Sequence, residues 1–251
     1  MGLDLLRGKV AVVTGAHRGI GKAILERFAS YGAGIRVVNR CEDPAFSEHC
    51  LSLEQEHGVT ITRTYADFSD EEQVKAAARE LCAMKPAPDI LVNNIGIAGS
   101  TMMFTMTRME AVRHAFEVNL FSAIALTQAI SRQMMRARRG SIVFISSSAA
   151  FDGGAGIDYS ASKAAVIGAM RRMAVELGKF GIRVNALAPG LTRTDMGAVT
   201  SSEDAAEAAS RSVLGRIAEP SEIADAAAFL ASDLSRFVTG QVLRADGGLL
   251  R

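Results

Sequence analysis

The stretch Val12, Val13, Thr14, Gly15, Ala16, His17, Arg18, Gly19, Ile20, Gly21 decides the fold. Two β-branched residues run into three glycines, and Ala23, Ile24 and Phe28 then return at helical spacing. This reads as strand, glycine turn and helix. Glycine permits positive φ and lets backbone N–H groups approach a ligand, while the helix N-terminus supplies a partial positive charge suited to a pyrophosphate. A lone glycine triplet is a weak signal; it gains weight at the first βα turn of a parallel-sheet pattern, where ligand sites gather at the carboxyl ends of strands.

That pattern extends outward along the whole chain. Short runs rich in Val and Ile at 9–13, 35–38, 60–65, 90–93, 141–145, 183–186 and 241–244 are expected as strands, several of them continuously apolar as in sheets covered on both faces. Helical spacing appears over 20–31, 44–57, 70–84, 107–137, 158–179, 203–214 and 221–231. Asp70, Glu71 and Glu72 before Val74, and Ser221 and Glu222 after Pro220, supply helix-start chemistry. The expectation is an α/β fold with a seven-stranded parallel sheet and helices on both faces. With no repeat, charge block or Pro/Ser-rich linker, residues 1–251 read as one domain. The stretch 191–215, rich in Ala, Ser and Thr, is expected to form a substrate lid.

Composition narrows the function. A chain 49% hydrophobic and 22% charged packs a core, which excludes a disordered protein, and 28 Lys+Arg against 27 Asp+Glu leave no broad basic footprint for nucleic acid. Cys41, Cys50 and Cys82 are odd in number and lack C-x-x-C spacing, so a reducing compartment is expected. No uncharged run reaches the roughly 18 to 20 residues that span a bilayer, and Asp4 stands where a signal peptide carries basic residues. A cytoplasmic protein with no membrane partner is the expectation. His17, His49, His57 and His114 show no H-E-x-x-H or other ligand spacing, so no metal is expected.

Tyr159 and Lys163 stand four apart in a helical stretch and emerge on one face. A phenol is a poor acid or base at neutral pH, but a neighbouring ammonium favours the phenolate and is expected to lower its pKa. An isolated Y-x-x-x-K is commonly a surface pair; this one follows a strand that ends in Ser146, Ser147 and Ser148. Asn119 is a lone amide in an apolar helical stretch, an unfavourable interior position that needs a reason.

The glycine spacing is G-x-x-x-G-x-G, and here the sequence resembles the short-chain dehydrogenase/reductase family, whose motif is T-G-x-x-x-G-x-G. The resemblance covers nearly the whole chain. Asn93, Asn94, Ile95, Gly96 look like the family's N-N-A-G segment, Tyr159 to Lys163 like its Y-x-x-x-K, Pro189-Gly190 like its P-G turn, and Thr239-Gly240-Gln241 with Asp246-Gly247-Gly248 like its closing segment. Within the family the chain looks closest to the 3-oxoacyl-(acyl-carrier-protein) reductase-like group. The resemblance implies a Rossmann fold and a nicotinamide cofactor. It implies hydride transfer with Tyr159 as acid/base, Lys163 tuning it, a serine orienting the substrate oxygen, and Asn119 holding a water that connects Lys163 to solvent. The family's I-S-S strand ending selects Ser147; counting back from Tyr159 selects Ser146. Ser147 is favoured, because deleting one loop residue between 149 and 158 is cheap while a one-residue strand shift turns its side chains to the other face. The implied cofactor contacts are Gly15, His17, Arg18, Gly19, Ile20, Gly21, Asn39, Arg40, Asp67, Phe68, Asn94, Ile95, Gly96, Tyr159, Lys163, Pro189, Gly190, Thr192 and Thr194. Ile95 departs from the family alanine, and the loop from serine to tyrosine is one residue short.

The second strand ends in Asn39-Arg40, lacking the acid that would accept a ribose 2′-OH, and Arg18 lies in the glycine turn. NADP(H) is therefore expected over NAD(H). The expected substrate is a small-molecule carbonyl or alcohol, with an acyl-carrier-linked one open because of Arg136, Arg138, Arg139, Arg171, Arg172 and Lys179. A homo-oligomer is expected, a tetramer by resemblance. The alternatives are an NAD-dependent secondary-alcohol dehydrogenase, a non-catalytic cofactor-binding regulator, and dehydration or epimerisation at a related site; an intact Ser/Tyr/Lys/Asn set speaks against the regulator.

Overall fold

Alternating apolar runs and amphipathic helices are realised as a seven-stranded sheet in order β3-β2-β1-β4-β5-β6-β7. The strands are β1 (Val10–Thr14), β2 (Gly34–Asn39), β3 (Ile61–Tyr65), β4 (Ile90–Asn93), β5 (Gly140–Ile145), β6 (Ile182–Pro189) and β7 (Val242–Ala245), and every pairing is parallel. The helices are α1 (Gly19–Ser30), α2 (Pro44–His57), α3 (Glu71–Ala83), α4 (Met109–Phe116), α5 (Ser122–Ala137), α6 (Ala149–Asp152), α7 (Ile157–Leu177) and α8 (Pro220–Ala231). The computed structural model describes residues 4–194, 209–210 and 212–249.

Two cores form because successive strand residues face opposite ways. Ala11, Val13, Ile35 and Val37 pack with Ile24, Leu25 and Phe28 of α1, Phe46 and Leu53 of α2, and Ile223 and Leu230 of α8. Val12, Val38, Leu91, Ile142 and Phe144 pack on the other face with Val74 and Leu81 of α3, Leu126 and Ile130 of α5, and Val166 and Met170 of α7. The order in which successive strands are added reverses between β1 and β4, so the loops that leave their carboxyl ends diverge and open a crevice. Gly21 fixes how α1 enters it, since a Cβ there would fall 2.0 Å from the Gly15 carbonyl oxygen.

The helical reading of 107–137 needs correction. A 3₁₀ turn (Phe104–Met106) precedes α4, and a π-helical turn (Glu117–Phe121) separates α4 from α5. Residues 149–158, read as plain loop, contain the short helix α6. Of the expected helix over 203–214, the described residues Ala209 and Ser210 are helical, while Ser212 forms a bridge to Leu249. Residues 195–208 and 211, most of the expected lid, lie outside the described residues. Helix starts follow the expected chemistry at α3, where Asp70 accepts from the Glu72 and Gln73 amides at 3.0 and 3.2 Å. At α8 the acceptor is Glu222, bonded to the Glu219 amide at 2.9 Å.

Candidate active site

Thr14, the last residue of β1, joins the two halves of the sheet. Its hydroxyl donates to the Val92 carbonyl at 3.4 Å and accepts from the amides of Asn94 and Ile95 at 3.0 and 3.1 Å. Asn94 returns the contact, donating from Nδ2 to the carbonyls of Thr14 and Gly15, each at 3.0 Å. The glycine turn is thus locked to the end of β4. Gly15 and Gly19 hold φ of +68° and +56°, conformations that an L side chain rarely adopts.

This turn fits an anionic cofactor. Asp43 and Asp70 cap α2 and α3 with their carboxylates, whereas Arg18 at the N-cap of α1 gives no side-chain cap and the first turn of α1 holds no acid. Its amides are therefore suited to a phosphate. Asn39 Oδ1 accepts the Ala16 amide at 2.9 Å, and its buried Nδ2 has no protein acceptor. The exposed Arg40 lies 3.9 Å from Asp67, whose carboxyl is held below its ordinary range by hydrogen bonds from Ser69 and by Arg40. His17 is bound to Asp43 at 2.5 Å and packs edge-on against Phe46. Thr194 lies over Gly19, 3.2 Å from where its Cβ would be, and Thr192 donates to the Gly190 carbonyl at 3.0 Å. The crevice thus gathers Gly15, His17, Arg18, Gly19, Gly21, Asn39, Arg40, Asp67, Asn94, Ile95, Gly96, Pro189, Gly190, Thr192 and Thr194. Phe68 is different: its side chain is buried in the core, which leaves its backbone for a ligand, and Ile20 is partly buried against the opposite core. Both positions are implied as contacts by the family resemblance, and their apolar side chains turn toward the core.

Tyr159 and Lys163 leave the first turns of α7 together. The Lys163 ammonium donates to the Ile145 carbonyl at 2.9 Å and lies 5.7 Å from the centroid of the Tyr159 ring. Burial pulls its pKa down to about 8. The Tyr159 phenol moves opposite to expectation, pushed up by burial, with the hydrogen bond to Ser147 opposing that shift. Desolvation dominates, and the Lys163 ammonium donates to the Ile145 carbonyl at the end of β5. The serines divide as strand parity demands. Ser147 reaches the Tyr159 hydroxyl, while Ser146 is buried and donates to the Lys163 carbonyl at 2.8 Å.

Asn119 sits in the π-helical turn, which accounts for an amide in that position. Its Oδ1 accepts the Ile97 amide at 2.8 Å, and its Nδ2 donates to the Ile97 carbonyl at 3.4 Å and to Ser162 Oγ at 2.9 Å. It therefore clamps the segment after β4 to α7. A Cβ at Gly96 would fall 3.1 Å from Lys163 Nζ and 3.2 Å from Asn119 Oδ1, so the glycine keeps open the space those two groups face. Sequence reasoning missed Thr14, whose signal is a hydroxyl directly before the first glycine, and Asp158, an acid in the first turn of α7.

Among the described residues no cluster of His, Cys, Asp and Glu is arranged to hold a metal ion, and no helix is long and apolar enough to cross a membrane. A family model described as enoyl-(acyl carrier protein) reductase matches residues 15–250. The 3-oxoacyl-(acyl-carrier-protein) reductase FabG of Aquifex aeolicus is 36% identical over 245 residues, 97% of this chain and 98% of that protein. A 7α-hydroxysteroid dehydrogenase complexed with NADH and 7-oxo glycochenodeoxycholic acid superposes with a TM-score of 0.91 at 34% identity, covering 99% of this chain and 96% of that one. The L-sorbose reductase of Gluconobacter frateurii, complexed with NADPH and L-sorbose, gives a TM-score of 0.90 at 29% identity over 99% of each chain.

The buried amine gives a measurable consequence. Its pKa is about 8 in the folded chain against 10.5 for an unperturbed lysine. The cost of burying its charge is therefore present in full below pH 8 and disappears as pH rises toward 10.5. Lys163→Met should stabilise the protein at pH 7 by on the order of 1–3 kcal/mol relative to its effect at pH 10. Urea denaturation at the two pH values measures this, and an effect that does not change with pH would contradict the burial argument.

Proposed function

The chain belongs to the short-chain dehydrogenase/reductase family and is an oxidoreductase acting on CH–OH or carbonyl groups with a nicotinamide cofactor, and from that premise we propose that it reduces a ketone with NADP(H) in preference to NAD(H). The single observation that carries the reading is the buried Tyr159 phenol with the buried Lys163 ammonium 5.7 Å from its ring, on the side of the site where Ser147 acts against the burial-driven rise of the phenol. When bound, the cofactor supplies or accepts the hydride.

The chain's own residues handle the proton. Ser147 donates to the substrate oxygen and holds it beside the Tyr159 hydroxyl. Tyr159 gives its proton to that oxygen as negative charge develops there, becoming a phenolate. The Lys163 ammonium stabilises the phenolate, which is why a charged group is kept there despite the cost of burial. Asn119 holds the segment after β4 in place and faces Lys163 across Gly96, the position from which it would hold a water in a proton relay. The amides that open α1, the turns at Asn94–Gly96 and Gly190–Thr194, and Asp67 are the groups that would hold the cofactor.

Three further expectations belong to the same reading. The neutral Asn39 and the cation Arg40 favour a ribose 2′-phosphate over a 2′-hydroxyl, with Arg18 across the turn. The free thiols of Cys41, Cys50 and Cys82 support a reducing, cytoplasmic setting. The large apolar side chains of Val175, Leu234 and Phe237 are exposed, and β7 is an edge strand, which supports a homo-oligomer.

Tyr159→Phe should bind NADPH almost as the wild type does while losing about 10²-fold or more in turnover, because only the proton-transfer group is lost. Ser147→Ala should cost far more in kcat than Ser146→Ala. Reduction of acetoacetyl-CoA, a 7-oxo bile acid and L-sorbose, followed by loss of reduced-cofactor absorbance, is the assay; undiminished turnover by Tyr159→Phe would remove the mechanism. For the cofactor, Asn39→Asp combined with Arg40→Leu should shift the kcat/KM ratio toward NADH by at least about tenfold, roughly 1.4 kcal/mol. A wild type that already prefers NADH would overturn that assignment. Light scattering at micromolar concentration should give a dimer or tetramer, and a monomer mass would refute the assembly.

A further inference from the structure

Asp158 is a buried carboxylate one residue before Tyr159 that takes no part in the proton transfer proposed above. Its Oδ2 accepts the Ser100 amide at 2.8 Å and its Oδ1 accepts the Tyr159 amide at 2.9 Å. Among the described residues no cation pairs with it; the positive end of α7, whose first turn it occupies, offsets its charge. It therefore joins two pieces of chain 58 residues apart, the segment after β4 and the helix that carries the reacting phenol.

The surrounding backbone is built for this contact. A Cβ at Gly99 would fall 2.4 Å from Asp158 Oδ1 and 2.6 Å from Tyr159 Cβ. At Gly156 it would fall 2.0 Å from the Ser100 carbonyl oxygen and 2.8 Å from Asp158 Oδ1. Neither glycine has φ in the left-handed region, so what each provides is close approach and not an unusual turn. Asn119 holds the same segment three residues earlier, through both polar groups of Ile97. Two side chains from two elements thus fix residues 97–100 on either side of the Tyr159 and Lys163 pair.

We propose that Asp158 is a positioning residue: by tying Ser100 to the first turn of α7 it fixes the Tyr159 phenol where Ser147 and the substrate oxygen meet it. The inference rests on the reaction assigned above. A carboxylate suits this role better than an amide, because both of its oxygens accept and both face backbone N–H donors; an asparagine has one acceptor and would turn its NH₂ toward a donor. Gly99 and Asp158 act through one contact, so their losses should not add.

The test compares Asp158→Asn, Asp158→Ala, Gly99→Ala and the Gly99→Ala/Asp158→Ala double variant. Four readouts are NADPH-dependent reduction of acetoacetyl-CoA, NADPH affinity by fluorescence, melting temperature, and deuterium uptake of a peptide covering residues 97–101. Asp158→Asn should lower kcat at least about tenfold, with NADPH affinity within about twofold of the wild type and faster exchange at the Ser100 amide. Asp158→Ala should fall further, and the double variant should be no worse than the worse single one. Wild-type turnover and an unchanged Ser100 exchange rate in Asp158→Asn would overturn the proposal. So would a parallel fall in melting temperature, cofactor affinity and kcat, which marks a general packing defect. Deuterium uptake does not depend on the reaction, so the tether can be judged separately: if Tyr159→Phe keeps its turnover, it is the reaction assignment that fails.

Discussion

Gly21 lies so close to the Gly15 carbonyl that no side chain fits between them, and the arrangement of the site depends on that approach. The contact sets the first turn of α1 directly on the end of β1. The same turn is held from the other side by Asn94, which reaches across from β4 to two of its carbonyls. β1 and β4 are the strands between which the strand order reverses, so the locked turn is also the floor of the crevice. A helix end without a side-chain cap, brought to that floor, places donors where an anion is to be held. Had α1 begun one residue later, its amides would point elsewhere and the glycines would have no purpose.

The alternation of strands and helices is legible in the sequence because strands covered on both faces leave continuous apolar runs that few other structures produce. Val12 and Val13, adjacent in sequence, end in separate cores, the outcome such a run requires. What the sequence hides is irregularity within a helical pattern. Over 107–137 apolar residues recur both before and after the π-helical turn, so a pattern read in short windows does not reveal the widened turn between α4 and α5. Asn119 is the visible trace of that irregularity: a helix-averse residue stands where the hydrogen-bond ladder widens.

The site is legible where spacing dictates geometry and illegible where burial decides. Tyr159 and Lys163 share a face because they are four apart, and Ser147 and Ser146 point in opposite directions because they are adjacent at the end of a strand. Both follow from backbone periodicity. The burial of the Phe68 side chain in the core cannot be read from its position, nor can the reach of the Asp158 carboxylate across to Ser100. Each depends on which of two available neighbours lies closer in space. The sign of the Tyr159 shift fails for the same reason: spacing gives the presence of an ammonium, not how far water has been excluded or which acceptor the ammonium chooses.

That exclusion of water sets the state in which the site rests. Burial pushes an amine down and a phenol up, so the two groups move apart on the pH scale. As pH rises, Lys163 is the first to lose a proton, near 8, while Tyr159 still holds its own. A charged ammonium beside a phenolate is thus not the resting condition of the unliganded chain; it arises when the phenol has given its proton away. At neutral pH both protons are in place, the form that ketone reduction consumes. On the proposed mechanism the reverse direction begins from a phenolate that the buried site disfavours, and the groups that would offset the difference are the Ser147 hydroxyl, which acts against the burial shift, and the Lys163 ammonium 5.7 Å from the ring.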